Sequence, residues 1–172
     1  HNIPFSADVA KMFRQIKVDS KHVNFQRIVW RQNQQEPIQD YQLLTVTYGT
    51  ASAPYLATKC FQQLANDEKA SFPSASRVVL SDCYVDNILS GANSINEALE
   101  LQQQLIKLFQ RGQFELRKWS SSDSRILEAV PPSMRETNLP LRIDSDDVVK
   151  TLGIEWTPAE MDSGIFSKEY TF

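Results

Sequence analysis

The sequence predicts an α+β fold: an antiparallel sheet with two helices packed on one face, followed by a C-terminal hairpin. Three observations lead there. Short stretches such as 24–31 and 113–119 alternate apolar with polar residues, the period of a half-buried strand. Two longer stretches, 55–72 and 95–111, repeat their apolar residues at helical spacing. The strand-forming segments follow one another closely enough to pair as hairpins, which favours an antiparallel sheet in a two-layer arrangement.

In order, IPFSADV (3–9) reads as a short strand ending on Asp8, and AKMFRQI (10–16) as a helical turn. NFQRIVWR (24–31) and YQLLTVTY (41–48) read as a hairpin, with EPIQ (36–39) in its loop. GTASAP (49–54) breaks the second strand, and Ser52 then Pro54 suit the first turn of a helix. That helix gathers Tyr55, Leu56, Cys60, Phe61, Leu64 and Ala65 on one side and ends at Pro73. RVVLSDCYVDNILSG (77–91) opens on β-forming residues, turns at Asp86-Asn87 and resumes at Ile88-Leu89, a second hairpin with carboxylates near its tip. Ser94 caps the next helix, 95–111, and Gly112 closes it. QFELRKW (113–119) is a further strand, and 120–145 is irregular apart from a helical turn at 123–129. Segments 147–156 and 164–172 pair as a terminal hairpin, giving the order β-β-β-α-β-β-α-β-β-β without an internal repeat.

A chain of 172 residues, 41% hydrophobic and 23% charged, is long enough for one domain with a substantial core. No apolar run approaches the roughly 20 residues of a membrane helix, and no signal-peptide pattern opens the chain. Because it begins His1-Asn2-Ile3, it reads as a fragment or a processed piece. With Cys60, Cys83, His1 and His22 as the only soft ligands, a zinc site has too few partners, so both cysteines are expected as reduced, buried thiols. The net charge of −3 argues against a self-sufficient nucleic-acid binder. Its distribution is uneven: Lys11, Arg14, Lys17, Lys21, Arg27 and Arg31 crowd the first third, and acids gather at 144–147 and 155–162. Solvated faces explain this most simply; a local phosphate-facing patch is the alternative.

Asp8 and Asp86 end separate elements, and each has an ordinary explanation as a helix cap or a turn residue. If their elements are neighbours in the sheet, the two carboxylates form an oxygen cluster suited to magnesium. Two such ions about 3.5–4 Å apart clamp the attacking and leaving oxygens of an in-line phosphoryl displacement. Spacing alone leaves both readings open.

Five blocks, FSADVAKMF, VTYGTASAP, CYVDNILSG, GQFELRKW and KTLGIEW, resemble in this order motifs A to E of a reverse transcriptase palm. The wording is most similar to the BEL/Pao class of long-terminal-repeat retrotransposons, through TYGTASAPYLA and FELRKW, and covers nearly the whole chain. The resemblance implies a polymerase palm over 1–172, RRM-like in layout, with a primer-grip-like hairpin at the C-terminus; fingers, thumb and ribonuclease H would lie elsewhere in a Pol polyprotein. It implies an RNA-directed DNA polymerase that joins a primer 3′-hydroxyl to a deoxynucleoside triphosphate on an RNA or DNA template. Asp8, the Val9 carbonyl and Asp86 would hold two Mg2+ ions, or Mn2+ in their place. Phe13 would exclude a ribose 2′-hydroxyl by steric clash; its plain alternative is a core aromatic. Tyr48, Gly49 and Pro54 would line the nucleotide pocket, Gly49 by letting backbone approach the substrate. Lys118, or second to it Arg117, would sit near the triphosphate, against the plain reading of a solvent-facing cation. Tyr84, Gly153 and Trp156 would contact the primer, Gly153 and Trp156 from within Leu152-Gly153-Ile154 and its hairpin. The setting implied is intracellular and cytoplasmic, including virus-like particles, with no membrane partner.

Asn87 departs from the family, which has a second aspartate there. An amide oxygen still reaches a magnesium ion, but the charge is gone. Impaired polymerisation is therefore the expectation. Two rivals stay open: an RNA-binding module, which needs exposed aromatics on central strands, and a degenerate palm retained as an assembly scaffold.

Overall fold

The computed structural model describes residues 1–136 and the backbone of Val149–Thr151 and Ile154–Trp156. Its centre is a four-stranded antiparallel sheet in the order β4-β5-β1-β6, where β1 is Ile3–Val9, β4 Cys83–Tyr84, β5 Asn87–Ala92 and β6 Leu116–Ser121. The fold is thus α+β, as the sequence predicts. The alternation of β1 explains its place: Phe5, Ala7 and Val9 face inward and are buried, while Ser6 and Asp8 face the other way. Opposite them Ile88 pairs with Ala7 and Asn87 with Asp8.

The helices α2 (Ala53–Asp67), α3 (Pro73–Ser81), α4 (Ile95–Arg111) and α5 (Ser124–Glu128) share one core with the inward residues of the sheet. Phe61, Phe109 and Phe114 meet edge-to-face there, with ring centroids 5.0–6.2 Å apart, a geometry worth about 0.5–1.5 kcal/mol per pair beyond area burial. Trp119 joins from β6, 5.7 Å from Phe5. Helix α4 starts where Ser94 predicts: the Glu97 N–H donates to the Ser94 hydroxyl at 3.4 Å. Ser52 occupies the cap position of α2 but its side chain makes no cap bond.

Two expectations are corrected. Residues 77–80 are helical, not a strand, so three long helices replace the expected two. The helix buries Ala75, Ser76, Val78 and Val79, so the β-forming Val78 and Val79 lie on its inner face at helical spacing. The free N–H groups of Ser74 and Ala75 are satisfied by the Gln104 side chain of α4, at 3.1 and 3.3 Å. The hairpin that follows is correspondingly short. Tyr84 pairs with Asn87, so its turn is Val85-Asp86 and Asn87 begins β5.

Strands β2 (Arg27–Trp30) and β3 (Gln39–Gln42) form a separate ribbon, exposed at every position. The short helix α1 (Met12–Gln15) links β1 to the base of that ribbon, where Val18 N–H donates to Leu44 O and Val46 N–H to Ile16 O. The terminal hairpin pairs β7 (Val149–Thr151) with β8 (Ile154–Trp156), within the first of the two segments expected to form it. Segment 164–172 and Gly153 lie outside the described residues, as does the Trp156 side chain. Among the described residues no helix is long and apolar enough to cross a membrane.

Candidate active site

Asp8 and Asp86 stand 78 positions apart in the chain and meet at one end of the sheet. Asp8 pairs with Asn87 across β1 and β5, and the Val9 N–H donates to the Asp86 carbonyl at 2.8 Å. Both carboxylates line a cleft of about 410 Å3 together with Val9, Lys11, Met12, Phe13, Arg14, Tyr48 and Lys118. Burial raises the Asp8 carboxyl above its ordinary range; the Lys118 ammonium opposes this, and the Asp86 and Glu136 charges add to it.

Lys118 reaches this cleft through a bulge. Ser6 pairs with Ser120 and Asp8 with Arg117, so β6 carries one residue more than β1 between those pairs. The bulge lets Leu116 and Trp119 both face the core while Lys118, at φ 50°, stays on the side of Asp8. Its Nζ lies 3.8 Å from Asp8 Oδ2, with the lysine side chain 60% exposed, so the pair adds little stability. Arg117 instead pairs with Glu115 at 2.7 Å. Of the two cations considered for this role, geometry brings Lys118 to the carboxylate.

Left-handed backbone is concentrated here. Lys11 (φ 50°), Val85 (φ 55°) and Lys118 flank the two aspartates, and a non-glycine residue costs roughly 1–2 kcal/mol in that region. Backbone strain of this kind tends to collect at functional sites. Cys83, one residue before Tyr84, has its thiol pushed up to about 12, chiefly by burial and then by the charges of Asp82 and Asp86. It is an inert thiol rather than a nucleophile.

No family model and no curated protein matches the chain.

The predicted residues divide into three groups. Asp8, Val9, Phe13, Tyr48, Asp86 and Lys118 share the cleft. Asn87 sits beside it, and its Nδ2 donates to Asp86 Oδ1 at 3.0 Å. Gly49, Pro54 and Tyr84 lie outside the lining. Gly49 has φ 85°, and a Cβ there would meet nothing within 4 Å, so the backbone conformation and not a close approach demands glycine. Pro54 is exposed at the start of α2, and Tyr84 is exposed on the edge strand.

Lys11 and Arg14 were not singled out for the cleft by sequence, although the basic bias of the first third pointed their way. The Arg14 guanidinium lies 6.0 Å from the Tyr48 ring centroid. Neither forms an ion pair with a described carboxylate. The cleft therefore combines two carboxylates, three cations and the rings of Phe13 and Tyr48.

Hard oxygen donors lining one cleft fit magnesium or manganese, whose remaining positions are filled by water or phosphate oxygens. The donor set is lean: among the described residues no three His, Cys, Asp or Glu side chains group together. The Asn87 amide is turned toward Asp86 and would have to rotate to offer its oxygen.

Proposed function

We propose that this chain is the palm of an RNA-directed DNA polymerase of the BEL/Pao retrotransposon type, weakened by Asn87. The observation that supports it best is the meeting of Asp8 and Asp86 in one cleft. In the proposed reaction a primer 3′-hydroxyl loses its proton and its oxygen attacks the α-phosphorus of a deoxynucleoside triphosphate. The bond to the β-phosphate oxygen breaks, and pyrophosphate leaves. Divalent cations held by Asp8, Asp86 and the Val9 carbonyl would neutralise charge on the phosphates. Phe13 would stand against the sugar and Tyr48 beside the nucleotide, while Lys118 would exchange its ion pair with Asp8 for contact with phosphate oxygens. Tyr84 and the β7–β8 hairpin, with Gly153 and Trp156, would steady the primer. The remaining Pol domains would complete the nucleic-acid channel.

The RNA-recognition rival is less well supported, because the outward positions of the central strands are Ser6, Asp8, Asn87 and Leu89 and carry no aromatic ring. The scaffold reading keeps one observation in its favour, the amide at position 87.

Primer extension on an RNA template with Mg2+ or Mn2+ tests the proposal. Weak, metal-dependent incorporation is expected; Asn87→Asp should raise it on the order of tenfold, the scale on which improved ligation acts, and Asp86→Ala should abolish it. Absence of both incorporation and divalent-cation binding in Asn87→Asp would refute the proposal and leave the scaffold.

A further inference from the structure

Lys118 is held beside Asp8 at a cost that stability does not return. Its backbone is left-handed at φ 50°, and the register shift of β6 against Ser6 and Asp8 keeps it on the outer side. A left-handed lysine costs more than an exposed ion pair gives back, and here the lysine side chain is 60% exposed with its Nζ 3.8 Å from Asp8 Oδ2. The neighbouring Arg117 pairs with Glu115 instead and has no left-handed backbone. Strain of this kind persists where the site has a use for it.

Charge says what the use is. An ammonium is a compact point charge, and it sits against one of the few carboxylates in the cleft that a divalent cation could use. Two cations drawn to one carboxylate stand about 4 Å apart, and each lowers the affinity of the other. The lining as a whole leans the same way. Lys11, Arg14 and Lys118 outnumber Asp8 and Asp86 three to two, and Asn87 beside them adds no charge. Glu136 lies outside the lining and acts on Asp8 least of the neighbouring charges. A bare divalent cation therefore meets net positive charge. The same cation carried on a polyphosphate arrives as an anion, which the three basic side chains attract.

We infer that Lys118 competes with the divalent cation for Asp8, so that the cleft takes up its cation together with phosphate and not ahead of it. Phosphate oxygens draw the ammonium away and leave the carboxylate to the metal. The coupling runs both ways: whatever phosphate gives to metal binding, metal gives to phosphate binding by the same factor. The inference rests on the polymerase reading for the identity of the cation, and it adds the order in which the site fills.

The test measures Mn2+ binding to the 172-residue chain, without nucleotide or primer, by electron paramagnetic resonance of the free ion. Lys118→Met should bind Mn2+ about 5- to 30-fold more tightly than the parent, the effect of removing one unit charge at about 4 Å in water from one or two others. Lys118→Gly, which suits the left-handed backbone, should do the same, so a packing fault in one variant is told apart from the charge effect. Lys118→Arg keeps the charge and should bind Mn2+ as the parent does. Lys107→Met, on the exposed side of α4, makes the same change in net charge and should leave the affinity unaltered. Inorganic phosphate, corrected by a protein-free blank for its own Mn2+ complex, should raise the affinity of the parent more than that of Lys118→Met. Equal Mn2+ affinity in the parent, Lys118→Met and Lys118→Gly would overturn the inference and leave the polymerase reading in place. Equal tightening in Lys107→Met, or an equal phosphate effect in the parent and Lys118→Met, would do likewise. No Mn2+ binding by any of these chains or by Asn87→Asp would overturn both.

Discussion

Isoleucine 88 in the β4–β5 hairpin is fully buried between sheet and helices, whereas Ile28 in the β2–β3 ribbon is 44% exposed. Both hairpins are made of strand-forming residues, and both are antiparallel. They differ in what lies behind them. β5 has β1 beside it and α3 and α4 against its inner face, so one side of the hairpin becomes core. The ribbon has neither sheet nor helix on its faces among the described residues. A two-stranded ribbon is at best marginally stable by itself; its order comes from its base, through Gln26 and the pairing of 16–18 with 44–46. One hairpin is thus a rigid mount for Asp86, and the other is a surface.

The sharpest way to break this comparison is to make one substitution in both places. Ile88→Ala should cost about 2–5 kcal/mol in urea denaturation, as large-to-small changes in closed cores do. Ile28→Ala should cost about 0.5 kcal/mol, the level of an ordinary surface change. Equal losses would mean that the ribbon belongs to the core after all.

A smaller effect should separate the two by what pins them. Gln26→Ala removes three hydrogen bonds at the ribbon's base and leaves the Thr47 N–H without its acceptor. The cost is about 1–3 kcal/mol, and hydrogen exchange should show it in β2 and β3 alone. The β4–β5 hairpin has its own pin, Asp82, whose carboxylate accepts from Ser81 Oγ and Ser90 Oγ, both at 2.7 Å. Its amides should therefore stay protected. If they exchange faster too, the ribbon and the sheet unfold as one unit.

How far these regions were legible in the sequence follows the same division. Period-2 alternation marked the strand at 24–31, and the Ser94 cap marked α4, because both are local signals. The sheet end shared by Asp8 and Asp86 was legible only as a condition on which strands are neighbours. Helix α3 was not legible: Arg77-Val78-Val79-Leu80 has strand propensity, and the group that caps the helix, Gln104, comes from 30 positions away. Alternation alone does not account for Lys118, since counting by twos from Leu116 would put it in the core; the bulge that keeps it on the outer side, where the sequence reading had it, leaves no mark in FELRKW. At the end of α4 the left-handed residue is Gln113, at φ 62°, while Gly112 has an ordinary φ of −83°. Gly112 is there for space, because a Cβ would come within 2.7 Å of Leu64 and 2.9 Å of Phe114.

The smallest expected effect concerns the mount itself and tests whether it is held at a cost to stability. The folded chain raises the Asp8 carboxyl, through burial first, with Lys118 opposing and Asp86 and Glu136 reinforcing. Native Asp8 therefore binds its proton more tightly than unfolded Asp8. By linkage, stability falls as pH rises from the ordinary aspartate value of 3.8 through the raised one. Asp8→Asn removes that charge while keeping the shape. The variant should melt at a higher temperature than the parent at pH 7, and the gap should close below pH 3.8, where Asp8 is protonated in both states. The same replacement of Asp40 in the ribbon should do the reverse at neutral pH, though only slightly, because it gives up the exposed pair with Arg27. A lower melting temperature for Asp8→Asn at pH 7 would mean that the Lys118 pair outweighs burial. The sheet end would then be held by its charges, and the strain at Lys11, Val85 and Lys118 would need another cause.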